Sequence, residues 1–200
     1  GLSSPVPTLP PLDGPTMSPK VCVYCGSQTG HHPTYRETAV ELGTALGKRG
    51  LGLVYGGGNV GLMGSLADAA LAHGAEVVGV IPRALEEREL GHQAIHELVV
   101  VDDMHQRKAT MAERAQAFVA LPGGYGTLEE LFEAVAWAQL DFHRKPVALL
   151  NTLGYFDRLL AFLDHAVEQG FLRPHHRPLI RVETRIDALL DGIVETISPS

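Results

Sequence analysis

Cysteine is scarce in this 200-residue sequence, which contains only Cys22 and Cys25. Their C-x-x-C spacing is shared by redox and zinc sites, but a zinc site would need a second pair of ligands. Both cysteines lie in residues 20–25, an apolar run typical of a strand, where side chains alternate between the two faces. Positions 22 and 25 then point in opposite directions, so we expect buried free thiols.

An excess of basic residues is also absent, since the formal net charge is −7. Binding to a nucleic-acid backbone is therefore not expected. No apolar run approaches the ~20 residues that a membrane-spanning helix needs, and no charged segment followed by an apolar one marks a secretory signal. We expect a cytoplasmic protein that does not bind membranes. The histidines form no ligand pattern with acids, so we predict no metal site.

Two kinds of segment alternate along the chain after residues 1–19, a Pro/Ser/Gly-rich stretch that we expect to be a disordered leader. Apolar runs typical of buried strands cover residues 20–25, 51–55, 76–81, 97–101, 117–121 and 146–150, with a weaker one near 179–182. Amphipathic patterns predict helices over residues 33–49, 61–73, 103–115, 127–140, 155–169 and 185–196. This alternation predicts a single α/β domain over residues 20–197, with a doubly wound parallel sheet flanked by helices.

Glycines follow the second predicted strand, in Tyr-Gly-Gly-Gly-Asn-Val-Gly-Leu-Met-Gly at residues 55–64. A glycine-rich turn ahead of a helix lets the backbone approach a phosphate, and the helix N-terminus adds free N–H donors. The spacing matches G-x-G-x-x-G, but the next strand does not end in the acid that a dinucleotide site needs, and no lysine follows as in a P-loop. A tight turn without a ligand is the alternative.

A second glycine loop, Pro-Gly-Gly-Tyr-Gly-Thr-Leu-Glu-Glu at residues 122–130, follows the fifth predicted strand. Thr127 and Glu130 have the T-x-x-E spacing of a capping box, in which the acid bonds back to the helix start. Such a cap does not require the preceding glycines, and Glu130 lies off the apolar stripe of the helix. The spacing alone leaves a capping role and a catalytic or ligand-binding role for Glu130 open.

Arg107 and Lys108 lie in the first turns of the helix predicted at residues 103–115. Cations there oppose the helix dipole unless an anion is nearby, and an arginine fork suits phosphate or carboxylate. The local alternative is a solvated basic turn.

Six motifs, taken together, stand in the order found in the LONELY GUY (LOG) family, which the sequence resembles from about residue 21 to 195. They are Cys-Gly-Ser at 25–27, Tyr-Gly-Gly-Gly at 55–58, Gly-Leu-Met-Gly at 61–64, Val-Ile-Pro at 80–82, Asp-Met-His-Gln-Arg-Lys at 103–108 and the loop at 122–130. The resemblance implies a Rossmann-like nucleotide-binding domain, a homodimer and no cofactor. It also implies hydrolysis of the N-glycosidic bond of N6-modified adenosine 5′-monophosphates (cytokinin riboside 5′-monophosphates) to the free base and ribose 5-phosphate.

The same resemblance implies that Arg107 and Glu130 form the catalytic pair. It implies substrate contacts from loop glycines and neighbouring polar residues, namely Ser27, Gly57, Gly58, Glu89, Lys108, Gly123, Gly124, Tyr125, Gly126 and Thr127. Gln28 and Ala136 replace a serine and a threonine that the family commonly has. These two differences concern which base the site prefers rather than the chemistry of bond cleavage.

Three other functions are weighed against this one. A broader nucleosidase would accept AMP and other nucleoside monophosphates, and a nucleotide-binding carrier would lack the catalytic pair. Some relatives bear the label lysine decarboxylase, a chemistry that needs a lysine Schiff base to pyridoxal phosphate. Only Lys108, among four lysines, lies in a motif. For assembly, the large apolar residues Trp137, Leu140 and Phe142 lie at the end of the helix at 127–140 and in the turn after it, where they could belong to the core. Together with the homodimer that the resemblance implies, they lead us to predict that this helix contributes to a dimer interface.

Overall fold

A seven-stranded, all-parallel sheet forms the centre of the protein in a computed structural model that describes residues 18–198. Residues 1–17 of the predicted leader lie outside the described residues. The strands are β1 (Lys20–Tyr24), β2 (Gly52–Tyr55), β3 (Val77–Pro82), β4 (Glu97–Val101), β5 (Ala117–Ala120), β6 (Val147–Leu150) and β7 (Ile180–Glu183). Every predicted strand is present to within about one residue at each end. The five inner strands are short, buried apolar runs, whereas the edge strands β4 and β7 are only partly buried.

Seven α-helices connect and cover the strands in the described part of the chain. They are α1 (Pro33–Lys48), α2 (Gly61–Ala72), the single turn α3 (Glu86–Glu89), α4 (Met104–Arg114), α5 (Tyr125–Gln139), α6 (Asp157–Glu168) and α7 (Ile186–Ile197). Six match the predicted helices. The sequence pattern did not predict α3, because a single turn is too short to show helical periodicity. No helix of residues 18–198 combines the length and the apolar character that crossing a bilayer requires.

Two apolar layers cover the faces of the sheet, as the prediction of a doubly wound sheet requires. One layer packs α1, α2 and α7 against the sheet through residues such as Leu42, Leu66 and Leu189. The other packs α4, α5 and α6 against it through residues such as Met111, Leu131 and Leu163. The predicted sheet flanked by helices is confirmed.

The two cysteines belong to opposite layers of this core, Cys25 to the first and Cys22 to the second. Both are buried free thiols, as the alternation of side chains along β1 predicted.

The strand order β4-β3-β2-β1-β5-β6-β7 places a topological switch point between β1 and β5. From β1 the chain builds the sheet outward through β2, β3 and β4, then returns to β5 on the other side of β1 and continues to β6 and β7. Connections diverge at such a point and leave a crevice at the carboxyl ends of the strands, where ligands of open α/β sheets bind. The two glycine loops follow β2 and β5 and therefore meet at this crevice.

Candidate active site

A cavity of about 340 Å³ lies at the switch point, above the carboxyl ends of β1, β2 and β5. Five separate segments supply its walls: the turn after β1, the glycine loop after β2, the α3 region, the start of α4 and the loop into α5. The lining residues are Val23, Cys25, Gly26, Ser27, Gln28, Gly56, Met63, Leu85, Glu89, Met104, Arg107, Gly123, Gly124, Gly126, Thr127 and Glu130.

Arg107 is buried, with 6% of its surface exposed, so the alternative of a solvated basic turn is wrong. Its Nε donates to the carbonyl oxygen of Val80 at 3.0 Å, and its Nη2 donates to that of Gly56 at 2.6 Å and to Glu89 Oε2 at 3.1 Å. Among the described residues, Nη1 contacts only Met104 Sδ, at 3.9 Å. A guanidinium carries five N–H donors. Nη1 carries two of these donors, so at least one of them remains for a ligand in the cavity that Arg107 lines.

Two glycines of the loop after β2 are required by this arrangement. A Cβ on Gly56 would overlap the Nη2 atom of Arg107, so a larger residue would displace the guanidinium. Gly61 has φ +58°, and a Cβ there would strike the carbonyl group of Ser27. Only glycine adopts this left-handed backbone conformation readily. Because neither glycine carries a side chain, the segment after β2 can lie directly against Arg107 on one side and against the turn after β1 on the other.

The N-terminus of α5 faces the same cavity and has no side-chain cap. The helix begins at Tyr125 with Gly124 as its N-cap, and its first backbone bond runs from Leu128 N to the Gly124 carbonyl at 3.1 Å. Three N–H groups ahead of Leu128 thus remain as donors, as at any helix start, where the helix dipole also favours an anion. Gly123, Gly124, Gly126 and Thr127 lie on the cavity wall, so this helix start has the donors and the dipole that suit an anion.

The predicted capping box is wrong in this structure. Thr127 lies in the first turn of α5 rather than before it, and its side chain packs against the backbone of Gly123. The helix begins earlier than predicted because Gly124 takes the N-cap position without contributing a side chain. Glu130 is then the sixth residue of the helix, too far from its start to bond back to the cap.

The carboxylate of Glu130 lines the cavity with no hydrogen bond or ion pair to any residue of the described chain. Burial raises its pKa from 4.5 to about 7, while the positive charge of Arg107 acts in the opposite direction and Glu129 and Glu89 add to the rise. A carboxyl group that titrates near neutral pH in a cleft suits acid–base chemistry.

Lys108 is buried beside Arg107 but does not line the cavity. Its Nζ donates to Glu129 Oε1 at 2.7 Å and lies 2.6 Å from Glu133 Oε2. Hydrogen bonds to Glu129 and then Glu133 raise the pKa of the ammonium above its usual value. Lys108 thus joins α4 to α5, the helices that carry Arg107 and Glu130.

The structure brings eight of the predicted site residues together on the cavity wall: Ser27, Glu89, Arg107, Gly123, Gly124, Gly126, Thr127 and Glu130. The other four do not line it: Gly57, Gly58, Lys108 and Tyr125. Tyr125 is 94% exposed. The carbonyl of Gly57 accepts from His92 N and that of Gly58 accepts from the Tyr55 hydroxyl, so both glycines shape the loop after β2.

Sequence reasoning missed the apolar wall of the cavity, which includes Met63, Leu85 and Met104. These residues come from three distant segments, and no local pattern marks them as neighbours. Gly56 was identified only as part of a glycine run.

A family model described as possible lysine decarboxylase matches residues 63–193. The chain is also 55% identical over 161 residues to the cytokinin riboside 5′-monophosphate phosphoribohydrolase LOG7 of Arabidopsis thaliana, covering 80% of this chain and 74% of that protein. It is 49% identical over 178 residues to the probable enzyme of the same name LOGL3 of Oryza sativa subsp. japonica, covering 89% and 84%. This chain belongs to the LOG family.

Solved structures similar to this LOG-family chain share its fold. The molybdenum cofactor binding protein of Rippkaea orientalis matches with a TM-score of 0.69 at 21% identity, covering 90% of this chain and 98% of that one. The molybdenum cofactor carrier protein of Chlamydomonas reinhardtii matches with a TM-score of 0.69 at 20% identity, covering 91% and 99%. At this level of identity the likeness extends to the fold alone.

Proposed function

We propose that this protein hydrolyses the N-glycosidic bond of N6-modified adenosine 5′-monophosphates, releasing the free base and ribose 5-phosphate. The observation that carries the proposal is the unpaired Glu130 carboxylate, which shares one cavity with the Arg107 guanidinium and the uncapped N-terminus of α5. LOG-family relatives at 49–55% identity are named for this reaction on cytokinin riboside 5′-monophosphates.

The N-terminus of α5 is the part of the cavity that suits the 5′-phosphate. Its N–H groups and helix dipole favour a dianion, and the glycines leave the backbone accessible. We assign the phosphate to Gly124, Gly126 and Thr127. The sugar and base then extend toward Arg107 and Glu130, which line the same cavity.

Cleavage transfers the electron pair of the C1′–N9 bond to the leaving base and builds positive charge on the ribose ring. The Glu130 carboxylate stabilises that charge and accepts a proton from the attacking water, whose oxygen forms the new bond to C1′. A pKa of about 7 allows Glu130 to take up this proton and pass it on, so that one proton finally resides on the base. The remaining Nη1 donor of Arg107 offsets the negative charge on the departing base.

Decarboxylation of lysine, the activity in the name of the family model, does not fit the cavity. Pyridoxal phosphate chemistry needs a lysine that can form a Schiff base with the cofactor. No lysine is present among the described residues that line the cavity, and the amine of Lys108 is held by two carboxylates outside it. The residues therefore do not fit that cofactor.

A nucleotide carrier without catalytic activity is the second alternative, and the similar solved structures include carriers of another cofactor. Arg107 and Glu130 argue against it, because an unpaired carboxylate whose pKa is raised to about 7 suits acid–base chemistry rather than simple retention of an anionic ligand. A broader nucleosidase that uses plain AMP would need the same residues.

The deciding experiment incubates the protein with isopentenyl-AMP, AMP and isopentenyladenosine and measures free base and ribose 5-phosphate. We expect release of base from isopentenyl-AMP and far slower reaction of the unphosphorylated nucleoside, since the anion site would remain empty. Comparable rates with AMP would favour the broader nucleosidase. Equal rates on nucleoside and nucleotide, or no release of base, would refute the proposal.

We further propose that the protein is a homodimer that uses the C-terminal end of α5. Leu140 and Phe142 are 59% and 73% exposed there, and Trp137 is partly buried next to them. Large apolar groups clustered on a surface favour a protein–protein interface, and two identical chains most often associate around a twofold axis.

A further inference from the structure

Tyr155 lies outside the cavity wall but makes a direct bond to the loop that forms it. It follows β6 and the short 3-10 turn at Thr152–Gly154, at the entrance to α6. Its hydroxyl donates to the carbonyl oxygen of Gly123 at 2.5 Å. Gly123 immediately precedes Gly124, the N-cap of α5. The contact thus connects the β6–α6 segment to the start of the anion site.

The peptide between Gly123 and Gly124 has no side chain of its own to fix its orientation. Two adjacent glycines leave the backbone unusually free to rotate. The peptide is trans, so its C=O and N–H groups point in opposite directions. A donor that holds the Gly123 carbonyl on one side therefore fixes the direction of the Gly124 N–H on the other.

The ring of Tyr155 is itself held in place by neighbouring aromatic rings. It packs edge-on against Tyr35 at 6.1 Å and against Phe156 at 5.0 Å between ring centroids. Asn151 ties down the same segment, because its side chain accepts from Phe156 N at 2.7 Å and donates to Asp157 Oδ1 at 2.7 Å. The hydroxyl of Tyr155 is thus presented to Gly123 from a fixed position.

We propose that Tyr155 is a positioning residue for the 5′-phosphate, acting through the orientation of the Gly123–Gly124 peptide. The proposal rests on the proposed function, which assigns the phosphate to the N-terminus of α5. Preorganised donors lower the cost of binding because they need no rearrangement when the anion arrives. Loss of the hydroxyl should therefore weaken recognition of the phosphate without altering the groups that break the glycosidic bond.

The test compares Tyr155→Phe with Tyr35→Phe. Both variants remove one hydroxyl and keep the aromatic packing, but among the described residues the Tyr35 hydroxyl has no hydrogen bond. For Tyr155→Phe we expect a rise in KM for isopentenyl-AMP of about 3- to 10-fold, the usual effect of one hydrogen bond, with kcat nearly unchanged. The slow reaction of isopentenyladenosine should be unaffected, and Tyr35→Phe should match the wild type on both substrates.

Calorimetric titration with AMP and adenosine separates this proposal from the proposed function. If the wild type binds AMP but releases no base from isopentenyl-AMP, the hydrolase proposal fails. The role of Tyr155 is then tested by binding alone: Tyr155→Phe should weaken AMP binding about 3- to 10-fold and leave adenosine binding unchanged. Unaltered AMP recognition in Tyr155→Phe, or an equal loss with phosphorylated and unphosphorylated ligands, would overturn the positioning role. A wild type that binds neither AMP nor isopentenyl-AMP would overturn both proposals.

Discussion

Glu130 is the residue on which the proposed chemistry depends most directly. Glu130→Gln keeps the size and hydrogen-bonding capacity of the side chain but removes the charge that the sugar cation needs. We expect kcat to fall by at least ~10²-fold, the lower end for an acid–base group, with the fold intact by circular dichroism. Steady-state kinetics with isopentenyl-AMP measure the loss. Near-normal turnover in the glutamine variant would exclude a catalytic role.

The same substitution should change stability in a pH-dependent way. The folded protein holds the Glu130 proton up to about pH 7, whereas the unfolded chain loses it near 4.5. The folded state therefore binds more protons across this interval, so the contribution of Glu130 to stability is present below pH 4.5 and is lost as the pH rises to 7.

Because glutamine is neutral throughout, Glu130→Gln should be more stable than the wild type at pH 8. The difference should be about 3 kcal/mol, since the pKa of Glu130 rises from 4.5 to about 7 on folding and each pKa unit corresponds to about 1.4 kcal/mol. The difference should vanish below pH 4.5. Urea unfolding at several pH values measures it, and the exposed Glu195 on α7, changed to glutamine, is the control. A glutamine variant that is less stable at pH 8 would contradict the pKa assigned to Glu130.

Substitution of Arg107 should reduce activity about as much as substitution of Glu130, and the two losses should not be independent. Arg107→Ala removes the Nη1 donors and leaves Glu89 without its partner at 3.1 Å, so a fall in kcat/KM of at least ~10²-fold is expected. If the two residues act on one transition state, the double variant Arg107→Ala/Glu130→Gln should lose less than the product of the single losses. Fully multiplicative losses would show that the two residues contribute independently.

At the scale of elements, the connection between β2 and α2 holds the turn after β1 in place. Gly61→Ala places a Cβ against the Ser27 carbonyl in a left-handed conformation, so we expect destabilisation of about 2 kcal/mol or more together with reduced activity. Gly50→Ala is the matched control, because Gly50 has φ +68° but open space around it. Its effect should be about 1 kcal/mol, without loss of kcat. Thermal unfolding and kinetics of both variants test the difference.

The strands were the elements that the sequence predicted best, because runs such as those at β3 and β6 are buried on both faces and bounded by turn residues. The start of α5 was predicted wrongly, since a threonine followed by an acid three residues later satisfies the capping pattern whether or not the chain turns there. Spacing gave Arg107 and Glu130 as candidates, but not the carbonyl oxygens of Gly56 and Val80 that fix Arg107. Those contacts depend on strand order, which local patterns do not specify.

At the scale of the whole molecule, the prediction to test is that the protein is a homodimer. We expect sedimentation at micromolar concentration to give about twice the 21.5 kDa chain mass. The double variant Leu140→Ser/Phe142→Ser should sediment as a monomer, because it removes the exposed apolar groups at the end of α5. Phe171→Ser, which changes a 91% exposed residue outside that region, is the control and should remain dimeric. A monomeric wild type would contradict the prediction.

The cavity at the β1–β5 switch point draws its wall from segments that run from Val23 to Glu130, more than half the length of the chain. During synthesis on the ribosome, no truncated chain that ends before Glu130 contains the complete set of groups. A collapsed intermediate in which β5 has not yet paired with β1 has these groups but has not brought them together. Recovery of turnover after dilution from denaturant should therefore lag behind recovery of helical signal, and enzymatic activity would report the final closure of the sheet.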